Sequence, residues 1–288
     1  MKIALECIPC FVRQAFEAAA LVTSDYKLRE WILRETLSTL REKSFDTTPP
    51  SIGRDIHSIV KTLTGNNDPY ARVKRESNTI ALKLAASLKD HIKNSSDPFE
   101  TALRLAIAGN IIDYGQGDRI DQETIQHSIS QCLNQPIERD SIEELKEELS
   151  RASNILYLAD NAGEIVFDRL LIDELKQYPV SLAVRGRPII NDALMEDAAA
   201  AGIDKVVEVI DNGTDIPGTI IEECSPEFRE RFAHSDLIIS KGQGNYETLS
   251  DSPHKIFFLL KVKCPVISRD IGCREGDIVV RKKGRILS

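Results

Sequence analysis

The chain has 288 residues, 42% of them hydrophobic and 28% charged, the balance of an ordinary globular protein with length for one large or two modest domains. Its net charge of −8 and pI near 5.3 supply no positive field for a phosphate backbone, which argues against a nucleic-acid partner. No apolar run reaches the roughly 18 residues of a membrane span, and the opening "MKIALECIPC" turns polar too quickly for a signal peptide, so a cytoplasmic protein with no membrane partner is expected.

Residues 1–150 read as a helical domain. "CFVRQAFEAAALV", "KLREWILRETLSTLRE", "IGRDIHSIVKTLTG", "YARVKRESNTIALKLAASLKDHI", "FETALRLAIAGNIID" and "DQETIQHSISQCL" repeat apolar residues at three and four positions, leaving one face for burial. "SSDP" (95–98) and "GQGD" (115–118) punctuate them as turns. A charge-rich helix, "SIEELKEELSRA" (141–152), leads out of this half. Cys7 and Cys10 are the only close pair among six cysteines, so the chain carries no disulfide framework. A Cys-x-x-Cys opening a helix near Pro9 could lower a thiol pKa. Structural zinc would need two further ligands, and buried structural thiols are the plainer reading. The five histidines lack the close spacing of a zinc pair and read as structural or surface residues.

Residues 151–288 change texture and read as an α/β domain. Short apolar runs, "ILYLA", "VSLAV", "KVVEVI", "DLIIS" and "KIFFLLKV", are bounded by polar or glycine turns and several are separated by helix-like segments. Continuous apolar strands alternating with helices predict a mostly parallel sheet covered on both faces. In such sheets ligands bind beyond the carboxyl ends of the strands. The basic run "RKKGR" (281–285) reads as a solvated tail.

Three strand ends carry polar clusters. The first is Asp160-Asn161, followed by Gly163, Glu164 and Asp168; the second is "RGRPIINDA", with Arg185, Asn191 and Asp192; the third is "KGQGNYE", with Lys241, Gly242, Gly244 and Asn245. In one parallel sheet all three fall on the same rim. Asp160, Asn161 and Asp192 offer hard oxygens that suit Mg²⁺ or Mn²⁺ better than zinc. Lys241, beside glycines whose N–H groups can approach an anion, suits a phosphoryl group. Each cluster taken singly also reads as a turn and a helix N-cap, and "KGQGN" is neither a P-loop nor a dinucleotide fingerprint. Their convergence is what points to a site.

Together the segments "DNAGEIVFD", "RGRPIIND" and "KGQGNYE" resemble the damage-control phosphatase family, known as domain of unknown function 89. "GNNDPYARVKRESN" (65–78) and "AGNIIDYG" (108–115) match as well. The resemblance implies a helical domain packed on a Rossmann-like domain, with the active site between them. It implies a divalent metal (manganese, nickel, cobalt or magnesium) and small phosphorylated metabolites as substrates. Metal ligands would be Asp160, Asn161 and Asp192, with Asp160, Asp192 and Lys241 as the catalytic set. Arg185, Lys241, Gly242, Gly244 and Asn245 would bind substrate, joined from the helical half by Asn110 and Asp113, with Asp68 and Lys74 as further contributors. Glu164 would support a ligand from one turn into its helix. Attack by Asp160 and attack by metal-bound water both fit. "ECIPC" is similar to the start of the family's prokaryotic branch.

Two other functions fit the same pattern. An S-adenosylmethionine-dependent carboxyl methyltransferase would use an acidic strand end for the ribose, but the first strand lacks a glycine-rich adenosyl loop. A metabolite-binding module without turnover would bind metal and hydrolyse nothing.

Overall fold

The computed structural model describes residues 1–109, 129–137 and 139–282. The helices of the first half start and stop where local chemistry dictates. After α1 (Cys7–Val22), α2 (Tyr26–Glu42) is capped by Asp25, whose carboxylate accepts from Lys27 N and Leu28 N. Helix α3 (Pro49–Thr64) begins on two prolines, which lack the N–H that a first turn leaves unpaired, and ends at Gly65 in the left-handed region. Helix α4 spans Ala71–Lys93. In "SSDP" the turn is also a start signal: Asp97 accepts from Glu100 N, and Pro98 opens α5 (Pro98–Ala108). The acidic helix α6 (Arg139–Arg151) follows. The predicted helix from residue 121 and the turn at 115–118 fall wholly or largely outside the described residues.

The five expected strands form, as β1 (Ile155–Leu158), β2 (Val180–Val184), β3 (Glu208–Asp211), β4 (Leu237–Lys241) and β5 (Ile256–Lys261). The sheet order is β3-β2-β1-β4-β5-β6, parallel throughout except for β6 (Ile278–Lys282), which pairs antiparallel with β5 at one edge. The chain runs outward from β1 through β2 to β3, then returns to add β4 on the other side. The place where the order reverses, between β1 and β4, is where doubly wound sheets open a crevice for a ligand.

Strand β6 corrects the reading of the basic run. Lys282 is not in a solvated tail: its ammonium bridges Glu144 (2.9 Å) and Glu148 (2.8 Å) of α6. Arg281 donates to Ile271 O. The acidity of α6 thus answers a basic edge strand.

Strands β1, β2, β4 and β5 are buried on both faces, and alternate residues feed different cores. Ile155, Tyr157, Ile239, Phe257 and Leu259 join a cluster that includes Ala81 and Leu84 of α4, Leu103 and Ala106 of α5, and Leu145 of α6. Leu156, Leu158, Ile238, Phe258 and Leu260 pack on the other side against helices α8 (Pro226–Ala233), α9 (Gln243–Leu249) and α10 (Pro265–Ile271). Helix α7 (Glu164–Glu174) packs against both α4 and α5 on the first of these faces. Helices α4, α5 and α6 therefore form one covering layer of the sheet.

Helix α3 packs over the strand-end loops. Arg54 pairs with Glu223, Lys61 donates to Pro188 O, and a Cβ on Gly53 would meet Pro217 Cγ at 3.3 Å. These contacts span the loops that follow β2 and β3. Among the described residues no helix is long and apolar enough to cross a membrane.

Candidate active site

Strand register sets the level of the rim. Leu158 pairs with Ala183 on one side and Ser240 on the other. Two residues further along each strand stand Asp160, Arg185 and Gly242. A backbone bridge then ties the first two strand ends together. Asn161 pairs antiparallel with Asp192, Ala162 N donates to Asn191 O (2.8 Å), and Ala193 N donates to Asp160 O (2.8 Å). Asp160, Asn161 and Asp192 are thereby brought to one place, and all three are buried, at 9%, 8% and 3% exposure.

Backbone features at the site serve this arrangement. Gly242 has φ 78°, and a Cβ there would lie 2.0 Å from Asp160 Oδ2. Only glycine lets the end of β4 close on that carboxylate. Ile190, two residues before Asp192, has φ 43°. A β-branched residue in the left-handed region stores strain of order 1–3 kcal/mol, of the kind that collects at functional sites. Its side chain packs against the cluster around Tyr70, which holds the segment down.

The side chains form two connected groups. In the first, Lys241 Nζ donates to Glu164 Oε1 (2.5 Å), Asp168 Oδ1 (2.6 Å) and Ala106 O (2.8 Å), using all three of its protons. Tyr157 Oη also donates to Asp168 Oδ1 (2.7 Å), and Asn161 Nδ2 reaches Asp160 Oδ2 (3.0 Å) and Glu164 Oε2 (3.4 Å). Because the Asn161 nitrogen faces the carboxylates, its oxygen is the atom a cation would take. In the second group Arg185 donates to Asp192 Oδ2 (2.7 Å), Thr219 Oγ1 (3.3 Å) and Asn245 Oδ1 (3.1 Å). Asn245 Nδ2 donates to Lys241 O (2.8 Å) and Ala159 O (3.2 Å), tying the ends of β1, β2 and β4 together.

Electrostatics follow from burial and from the surplus of acid. Burial pushes the Asp160 carboxyl well above the ordinary range, reinforced by Glu164 and Asp192 and opposed by Arg185 and the exposed Lys263. Asp168 is raised to about 6, chiefly by burial, while Lys241 pulls the other way. For Lys241 burial disfavours the charge, but Asp168 and Glu164 outweigh it and hold the ammonium above its ordinary value. Four buried carboxylates (Asp160, Glu164, Asp168 and Asp192) face two buried cations (Lys241 and Arg185). The excess of two negative charges is what one divalent ion would cancel. With a hard oxygen donor set, the residues present fit such an ion. Among the described residues no group of three or more His, Cys, Asp or Glu side chains is gathered as a metal site. The oxygen set here is two carboxylates and a carboxamide, and among the described residues Cys7 and Cys10 are not gathered with the extra ligands zinc would need.

Several residues read from the sequence as substrate contacts have other duties in the structure. Lys241 and Arg185 spend their donors on protein oxygens, and Asn245 spends both donors and its oxygen in the same way. Gly244 is required because a Cβ would lie 2.0 Å from Pro217 O. Asn110 and Asp113 lie outside the described residues. Sequence reasoning missed Asn78, whose Oδ1 accepts from Gly163 N (2.7 Å) while its Nδ2 donates to Asp197 (2.6 Å). It lies within a matched segment, but nothing local marks it as the clasp on the Asp160 loop.

Comparison with known proteins agrees with this architecture. The family model described as the damage-control phosphatase ARMT1-like domain matches residues 3–279. An uncharacterized protein of Methanocaldococcus jannaschii is 37% identical, over 98% of this chain and 96% of its own length. A damage-control phosphatase of Archaeoglobus fulgidus is 38% identical, over 98% and 99% respectively. The crystal structure of a DUF89 family protein from Pyrococcus horikoshii superimposes with a TM-score of 0.89 at 35% identity, covering 98% of this chain and 99% of that one.

Proposed function

The chain belongs to the damage-control phosphatase ARMT1-like family, and on that premise we propose that it is a metal-dependent phosphatase acting on small phosphorylated metabolites. One observation carries the reading: the backbone bridge between Asn161 and Asp192 sets Asp160, Asn161 and Asp192 together at the crevice of the sheet. Those three residues would hold the ion, drawn from manganese, nickel, cobalt and magnesium. A divalent cation there would polarise a phosphoryl group and screen the charge that builds up on it.

The other residues of the rim hold the ligands in place. Arg185 fixes Asp192 through one carboxylate oxygen. Lys241 clamps Glu164, whose second oxygen faces the Asn161 amide. The absent Cβ of Gly242 leaves room for the Asp160 carboxylate. Asn78, by accepting from Gly163 N, locks the turn that follows Asn161. Helix α3 closes over the strand-end loops and limits the entry of water, which strengthens every charge interaction beneath it.

The test is hydrolysis of p-nitrophenyl phosphate with added Mn²⁺. Asp160→Ala is expected to abolish turnover and to weaken Mn²⁺ binding measured by calorimetry. An Asp160→Ala protein as active as the wild type ends the proposal.

A further inference from the structure

The Cys-x-x-Cys that opens α1 has no task in the crevice. Cys7 is the first residue of the helix and Cys10 stands one turn on, so both thiols fall on one helix face. Three steps along an α-helix set their Cα atoms about 5 Å apart, inside the range that a disulfide spans. Both thiols are free and partly buried.

The fold adds two groups that are remote in sequence. Glu6, beside Cys7, pairs with Arg269 of α10 at 2.6 Å, which docks the start of α1 on the segment after β5. Cys264 immediately precedes α10 and is a third thiol, near enough to Cys7 for their charges to repel. Glu247 of α9 repels both of them. Its carboxylate makes no hydrogen bond among the described residues, and burial raises it to about 8.

The three thiols are not alike. Burial pushes Cys7 up, opposed by a backbone hydrogen bond at Ala4 and reinforced by Glu247 and the other two thiols. Burial also pushes Cys264 up, although Gln243 Nε2 donates to its sulfur (3.9 Å). Cys10 Sγ accepts from Gln14 Nε2 (3.6 Å) and from the Arg13 guanidinium (4.0 Å), the surroundings in which a cysteine serves as nucleophile. One sulfur is thus set to attack, and its neighbour must give up a proton beside a carboxyl group that is able to take it.

We propose that Cys7 and Cys10 form a thiol–disulfide exchange site for small-molecule disulfides, with Glu247 relaying the proton of Cys7. The Cys10 thiolate attacks one sulfur of the disulfide, breaks the S–S bond and releases one thiolate. Cys7 yields its proton to Glu247 and attacks the Cys10 sulfur of the mixed disulfide. That closes the Cys7–Cys10 bond and releases the second thiolate. The protons of the two cysteines end on the two product thiols, and the dithiol loses the two electrons that the small disulfide gains. The exchange site stands apart from the phosphatase reading, and neither depends on the other.

The experiment treats the reduced full chain with glutathione disulfide, then blocks remaining thiols and maps tryptic peptides by mass. One peptide, "IALECIPCFVR", carries both Cys7 and Cys10, and Cys264 falls in another. In the wild type that peptide is expected to lose two hydrogens and to regain them with dithiothreitol. Cys7→Ser should stop at glutathione held on Cys10, Cys10→Ser should take up none at Cys7, and Cys264→Ser should close like the wild type. Glu247→Gln should slow closure at least about tenfold, the lower range of a proton-transfer contribution, and Glu247→Asp should restore part of the rate. A wild-type peptide that stays reduced, or keeps glutathione on Cys10 without closing, overturns the exchange site, and a Cys7–Cys264 cross-link overturns the pairing. Closure at the wild-type rate in Glu247→Gln overturns the relay. The wild-type readouts need no variant to fold.

Discussion

Two layers of buried polar side chains lie within the molecule and differ in one respect. Around Lys241 every ammonium proton has an acceptor, and Glu164, Asp168 and Tyr157 are linked through it to Asn161. Between α3 and α4, Lys74 and His57 are as deeply buried, but Lys74 has only an ion pair with the partly exposed Asp68 (2.8 Å), and His57 has no hydrogen bond among the described residues. Saturation is the signature of a group that fixes geometry, since its bonding capacity is already used. A buried group left without a hydrogen bond keeps bonding capacity that the surrounding fold does not use. A lysine at a strand end beside glycines therefore need not be the lysine that meets the substrate.

The largest expected effect tests the saturated layer. Lys241→Met strands Glu164 and Asp168 as buried carboxylates, and breaking such a pair costs about 3–5 kcal/mol. That corresponds to a fall of roughly 10 °C in melting temperature, readable by differential scanning calorimetry. Adding Asp168→Asn to Lys241→Met should recover part of the loss. If Lys241→Met instead melts like the wild type and loses phosphate affinity, the contrast between the layers is reversed. Gly242→Ala comes next. A methyl 2.0 Å from Asp160 Oδ2, on a residue with φ 78°, must displace that carboxylate or the strand end. Mn²⁺ affinity is expected to fall about 10- to 100-fold, the scale on which supporting groups act on a metal site. An unchanged calorimetric isotherm would free Asp160 from any dependence on that contact.

The contrast also marks how far the sequence could be read. Strands β1, β2, β4 and β5 announce themselves because residues buried on both faces leave continuous apolar runs, and polar residues at the ends of β1, β2 and β4 had to share a rim. Strand β6 escaped notice because its "IVVRK" runs straight into a basic stretch and looks like a tail until Lys282 meets Glu144 and Glu148. The gathering of Asp160, Asn161 and Asp192 was legible as residue type at strand ends. Saturation was not: Lys241 is 73 and 77 positions from its carboxylate partners and 135 from Ala106. The φ of Ile190 was equally hidden, since nothing in "RPIIND" reserves that position for a residue that tolerates the left-handed region.

The smallest effect sharpens the unsatisfied layer. Burial, aided by the charge of Lys61, depresses His57 from 6.5 to about 3. The unfolded chain therefore takes up a proton on this residue below about pH 6.5, while the folded chain does so only near pH 3. His57 contributes stability that is full above the unfolded pKa and is lost as pH falls through that window. Between pH 7.5 and 5.5 the loss is about 1 kcal/mol, or roughly 2 °C in melting temperature. His57→Phe retains an aromatic ring beside Tyr70 and removes the titration, so its melting temperature should fall less than that of the wild type over the same interval. If both proteins lose the same amount, the imidazole already has a proton partner when folded, and the layer between α3 and α4 is no longer unlike the one around Lys241.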